Sequence, residues 1–148
     1  MKIKEFDWIN KPKEIKIINS KKLSYKGDSY HAFVYTFESE STLEFKVKTA
    51  CTNGFELFLS PGYGIKFLVN DGIIEKETLL LDQKSYDYYP INTDNIVWKV
   101  KKTGDTLFFY FNNVLLSSFT FPSIKASVSL APISNGLGNV TLEFNTLS

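Results

Sequence analysis

Apolar and polar residues alternate with period two through most of this chain, which restricts it to strands that bury one face. In "LEFKVK", Leu43, Phe45 and Val47 share one side while Glu44, Lys46 and Lys48 share the other. "VTLEF" repeats the pattern with Val140, Leu142 and Phe144 against Thr141 and Glu143. "FELFL" and "IKFLV" continue it, bracketed by the turn signals "TNG", "SPGYG" and "NDG". Trp98 and Val100 oppose Lys99 and Lys101 before Thr103-Gly104-Asp105 turns the chain. After that turn Leu107, Phe109 and Phe111 lie on one side, with Thr106, Phe108, Tyr110 and Asn112 on the other. Asn112-Asn113 marks a further turn. No long stretch holds a 3.6-residue period. The nearest approach, "GIIEKETLLLD", is short and β-branched at its start, and is read as strand, loop, strand. Short strands at regular turn spacing predict one all-β domain over residues 1–148, a sandwich or a barrel.

The composition agrees. Thirteen Phe and eight Tyr suit a pleated surface better than a helical one. Seventeen basic and sixteen acidic residues, mixed along the chain, give a net charge of +1 and no footprint for nucleic acid. No apolar run approaches the length of a membrane span. "MKIKEFDWIN" lacks the apolar segment of a signal peptide, and the single cysteine, Cys51, forbids an internal disulfide. A cytoplasmic location is expected.

Several stretches carry a family likeness: "FDWINKPKEIKIINSKKLSYKG", "YGIKFLVNDG" with the following "KSYDYYPI", "VWKVKKTGDTLFFYF", and "VSLAPISNGLGNVTLEFNTLS". Their order resembles the concanavalin A-like lectin/glucanase sandwich, and more narrowly the bacterial "regulation of enolase" type family of that superfamily. The resemblance implies a jelly-roll β-sandwich of two antiparallel sheets. It also implies that Lys66, Asn70, Asp87 and Tyr88 stand at the family's Lys, Glu, Asp and Trp positions. Leu68 and Asn70 replace the usual Gly and Glu, and Tyr88 replaces a Trp, so this chain has altered those positions.

Catalytic signals are sparse. The acidic pairs at strand spacing are Glu38/Glu40 and Glu75/Glu77, neither in a glucanase-like pattern, and both read as solvated charges. His31 is the only histidine and reads as packing. Asp71, Asp82, Asp87, Asp94 and Asp105 fall in separate turns, so no cofactor is expected; a structural calcium fits the fold but is not signalled. "GYG" and "GLG" are turns rather than phosphate loops.

Mixed ring-and-polar faces are the best lead. Sugar recognition sets an aromatic body against the CH face of a pyranose and gives its hydroxyls to amides and carboxylates. Tyr110 and Asn112 meet that description on one strand, Glu56 beside Phe58 on another, and Lys66 with Asn70 on a third. Tyr86, Tyr88 and Tyr89 surround Asp87 in a stretch read as a loop. The expected function is non-catalytic carbohydrate binding through Glu56, Lys66, Asn70, Asp87, Tyr88, Tyr110 and Asn112 on a concave sheet. Two alternatives stand beside it: a protein-interaction module, including a homodimer through edge strands, and a glycosidase using Glu56 or another groove carboxylate.

Overall fold

The computed structural model describes residues 2–27, 29–37, 40–49, 53–60, 62–93, 95–120, 127–132 and 138–147. Among the described residues the alternation resolves into successive strands after a 3-10 turn at Ile3–Glu5. The first five are β1 (Asp7–Ile9), β2 (Ile15–Asn19), β3 (Lys22–Lys26), β4 (Ala32–Thr36) and β5 (Thr42–Lys48). Two long hairpins follow, β6 (Asn53–Ser60) with β7 (Tyr63–Asn70) and β8 (Ile73–Leu80) with β9 (Gln83–Pro90). Then come β10 (Trp98–Thr103), β11 (Thr106–Phe111), β12 (Val114–Thr120), β13 (Ser127–Pro132) and β14 (Asn139–Leu147).

Two seven-stranded sheets form, in the orders β1-β4-β13-β6-β7-β8-β9 and β12-β11-β10-β5-β14-β3-β2. Every pairing is antiparallel, so the choice left open by the sequence falls to a sandwich. Non-local pairings hold it together: β13 inserts between β4 and β6, and β14 between β5 and β3.

The inner faces meet in an aromatic layer. Phe55 and Phe67 from one sheet pack on Trp98 and Phe109 from the other, with Phe55–Trp98 at 5.1 Å, Phe67–Trp98 at 5.7 Å and Phe67–Phe109 at 5.2 Å between ring centres. These distances lie in the range favoured by offset and edge contacts. Trp98 is only 1% exposed, yet its indole N–H is satisfied by Asn53 Oδ1 at 3.1 Å across the sheets. A second cluster joins Phe6, Phe33 and Phe144, with Phe6 stacked on Phe33 at 4.3 Å. Leu107 and Phe109 belong to the core as expected, Phe111 packs against it, and Trp8 is half-buried at its margin.

Two local expectations are corrected. "GIIEKETLLLD" is not broken by a loop: Ile73–Leu80 is one strand, in register with β7 and β9 over all eight residues. Flanking ladders on both sides satisfy its backbone, which outweighs the weak β preference of the Glu-Lys-Glu centre. The tyrosine-rich stretch is likewise no loop but edge strand β9. The turn before it is Leu81-Asp82, both at positive φ (51° and 61°), which matches the twist of a tight hairpin. Cys51 and Glu38 lie outside the described residues. No helix among the described residues is long and apolar enough to cross a membrane.

At one side edge the sheets are clasped by polar groups. Lys76 points inward from β8, bonding Ser117 Oγ of β12 at 3.0 Å and pairing with Asp87 of β9 at 3.2 Å. Near the centre, Gly54 is required by close approach: a Cβ there would lie 2.0 Å from the Phe67 carbonyl oxygen of the neighbouring strand. Gly54→Ala is therefore expected to lower unfolding stability by roughly 1–3 kcal/mol, the usual cost of overpacking. Urea denaturation checks this, and an unchanged midpoint would contradict the close β6–β7 approach.

Candidate functional site

Alternation places the polar residues of β6 to β9 on the outer face of the first sheet, and register lines them up in rows. Glu56 pairs with Lys66, Lys66 with Glu77, and Glu77 with Tyr86, so four strands contribute one row across the sheet. The adjacent row is Phe58, Gly64, Leu79 and Lys84. Because Gly64 has no side chain, it leaves space between Phe58 and Leu79. A depression of about 290 Å³ results, lined by Glu56, Phe58, Lys66, Glu77, Leu79 and Lys84 among others. Tyr30, from the bend before β4, sets its ring edge-on to Phe58 at 6.4 Å.

The charges in this depression are unequally partnered. Glu77, its side chain 13% exposed, takes Lys66 at 2.9 Å and Lys84 at 3.2 Å. Burial pushes the Glu77 carboxyl up, but the hydrogen bonds from the two ammonium groups outweigh this and hold it below the usual range. Its hydrogen bond to Lys66 in turn holds that ammonium above its ordinary value, against the opposing effect of burial. Glu56 makes no ion pair among the described residues, and burial pushes its carboxyl above the usual range despite the nearby Lys66. The Tyr30 phenol is raised by burial and then by the Glu56 charge. An acceptor-rich carboxylate thus sits beside aromatic and aliphatic surface, with a lysine donor on the next strand.

Of the seven residues singled out in the sequence, the structure brings together Glu56 and Lys66. Asn70 is on the same face of β7 but four residues further on, about 13 Å along the strand. Tyr88 also faces outward, 63% exposed, in the row of Leu68 and Glu75 on the edge strand. Asp87, its chain neighbour, necessarily points to the opposite face and is held by Lys76. Tyr110 lies on the outer face of the second sheet beneath Lys99, whose Nζ is 4.7 Å from the ring centre. Asn112 serves its turn: its side chain accepts from the Val97 N–H at 2.8 Å and donates to the Asn95 carbonyl at 3.1 Å. Sequence reasoning missed Glu77, Leu79 and Lys84 as lining residues, and Tyr30 as a neighbour of Phe58. Glu77 and Lys84 become neighbours only through the β8–β9 hairpin, whose register no turn motif announced.

His31 is 6% exposed. Its Nδ1–H donates to the Asn10 carbonyl at 2.5 Å, and its Nε2 lies 3.2 Å from Ser29 Oγ. Asn10 Nδ2 also donates to Ser29 Oγ at 3.2 Å, so the group staples the end of β1 to the bend before β4. Among the described residues no three His, Cys, Asp or Glu side chains are grouped to hold a metal ion.

No family model matches the chain, and no curated protein matches it. Solved structures do. A functionally unknown protein from Saccharomyces cerevisiae superposes with a TM-score of 0.71 at 15% identity, covering 100% of this chain and 99% of that one. The carbohydrate binding module CBM66 from Bacillus subtilis gives 0.51 at 15% identity, covering 97% and 90%. A laminarinase from Flavobacterium sp. UMI-01 gives 0.61 at 10% identity, covering 89% and 80%. The fold is therefore the concanavalin A-like jelly-roll β-sandwich. At these identities the likeness establishes architecture alone.

The two carboxylates titrate with opposite consequences. Glu56, raised in the folded state, stabilises fully at acid pH and loses its contribution as pH rises through its elevated value. Glu77, lowered, contributes fully above the ordinary carboxylate range and loses that contribution as pH falls through its depressed value. Glu56→Gln is expected to flatten the loss of stability on the alkaline side of the carboxylate range. Glu77→Gln should cost about 1–2 kcal/mol at neutral pH, with the deficit closing in acid. Urea midpoints measured across the carboxylate range check both, and parallel pH profiles for the two variants would refute the assignment.

Proposed function

We propose that this chain is a non-catalytic carbohydrate-binding domain whose site is the depression on the outer face of β6–β9. The observation that carries the reading is the juxtaposition of an unpaired, half-buried carboxylate with apolar rings: Glu56 beside Phe58, edged by Tyr30 and faced by Lys66. Phe58 and Leu79 supply apolar surface for the CH face of a pyranose, Glu56 accepts from hydroxyl groups, and Lys66 donates. A volume of about 290 Å³ is at the small end of ligand sites, which suits one or two sugar rings better than a long chain. Neighbours of the same fold described as a carbohydrate binding module and as galectins support the sugar reading.

The carboxylate geometry favours binding over hydrolysis. Glu56 and Glu77 stand two strands apart, about 10 Å at the backbone, and Glu77 is committed to two lysines. Within the lectin/glucanase sandwiches we place the chain with the "regulation of enolase" type family. The matching order of its opening, central and closing stretches supports this placement. A cytoplasmic protein remains our reading of its location.

Calorimetric titration against a panel of mono- and oligosaccharides tests the function. A bound saccharide should lose at least tenfold in affinity, or about 1.4 kcal/mol, in Phe58→Ala and in Glu56→Gln. Tyr110→Ala, on the opposite sheet, should leave affinity unchanged. Binding that survives Phe58→Ala but fails in Tyr110→Ala would move the site to the other sheet. No binding across the panel would transfer the proposal to the protein-interaction reading.

A further inference from the structure

Basic and acidic residues mingle along this chain, but their balance shifts at its start. Residues 1–26 hold eight lysines against three carboxylates, a balance of +5, whereas residues 27–148 hold nine lysines against thirteen carboxylates, a balance of −4. The fold gathers part of that excess around a cavity. Strands β1 and β2 are the edges of the two sheets on the side away from the Lys76 clasp, and the gap between them is lined by the 3-10 turn, Trp8 and residues 11–13. The cavity measures about 300 Å³ and has Lys4, Lys11 and Lys13 on its wall, with Phe6, Trp8 and Ile15 among its apolar lining.

No carboxylate lines this cavity, and none of the three lysines forms an ion pair among the described residues. Trp8 is half-buried, fixed edge-on against Tyr25 at 5.5 Å and Phe33 at 5.8 Å, so its ring is held rather than free to swing away. Its indole N–H has no acceptor among the described residues. Three ammonium groups on the wall of one cavity favour an anion placed among them, most strongly at low salt. Lysines meet phosphate as mobile point charges and do not need the planar fork of arginine, which this chain lacks altogether.

We propose that the β1–β2 edge cavity is a second binding site, for a small organic molecule carrying a phosphate group. The lysines take the oxyanion; Trp8 takes the carbon body and offers its N–H to a ligand oxygen. The site is independent of the depression around Glu56, which is on the outer face of the first sheet and has balanced charges.

Calorimetric titration of the full chain with glucose 6-phosphate, inorganic pyrophosphate and glucose, at low and at physiological salt, tests the proposal. Glucose 6-phosphate should bind saturably and more tightly than pyrophosphate, glucose should not bind at this site, and added salt should weaken the phosphate ligands. The triple variant Lys4→Gln/Lys11→Gln/Lys13→Gln should lose at least tenfold in affinity for both. A charge-matched control, Lys48→Gln/Lys101→Gln/Lys102→Gln, and Glu56→Gln should each leave it unchanged. Trp8→Phe should weaken glucose 6-phosphate more than pyrophosphate. Equal loss in the two lysine triples would overturn the proposal in favour of diffuse screening. So would no saturable binding of either phosphate ligand, or binding to anionic vesicles without binding to soluble phosphates. Circular dichroism of each variant separates these outcomes from misfolding.

Discussion

The contact on which the rest of this structure depends is the aromatic layer between the sheets. Phe55 and Phe67 meet Trp98 and Phe109, so the hairpin β6–β7 is locked face-to-face with the hairpin β10–β11. Each ring removes a large apolar area from water, and the contacts are edge-on or tilted, which fixes the sheets relative to each other as well as holding them together. Asn53 completes the layer by satisfying the one polar atom of Trp98, sparing the core an unpaired donor. A long-range fold of this kind stands only if such non-local contacts offset the entropy of closing its loops.

Because the strands are pleated, fixing the inner faces also fixes the outer ones. Once Phe55, Leu57 and Leu59 point inward, Glu56 and Phe58 must point outward, and the same holds for Lys66 between Ile65 and Phe67. The outer-face row Glu56–Lys66–Glu77–Tyr86 is thus a by-product of core packing plus register. Its electrostatics follow from the same geometry. Glu77 lies between two lysines that hold its carboxyl below the usual range, while burial holds that of Glu56, at the row's inner end, above it. Two chemically similar side chains acquire different characters from their places in the ladder.

The two open sides of the sandwich are finished differently. One side is closed by Lys76, which pairs with Asp87 on its own sheet and reaches across to Ser117 on the other. The other is filled by Phe6 and Trp8, leaving a recess rimmed by lysines. Neighbours share this architecture at 10–15% identity, so a common fold carries no common function, and function is sought in such outer-face and edge features.

Much of the architecture was legible in the residues themselves. Alternation in "LEFKVK", "VTLEF" and "TLFFYF" identified strands and the side each would bury, since a period of two is a local property of an extended backbone. Glu56 and Lys66 could be picked out as outward-facing for the same reason. Local pattern could not say that Ile73–Leu80 is continuous, because only its neighbours on both sides make that segment a strand. Nor could it separate Tyr110 from Glu56, since alternation assigns a residue to a face but not to a sheet. Asp87 and Tyr88, adjacent in sequence, had to part company once β9 proved extended. The sequence by itself determined an all-β chain and the inward and outward set of each strand. Tertiary structure alone decided which outward residues became neighbours, because register and sheet order are set by contacts between segments far apart in the chain.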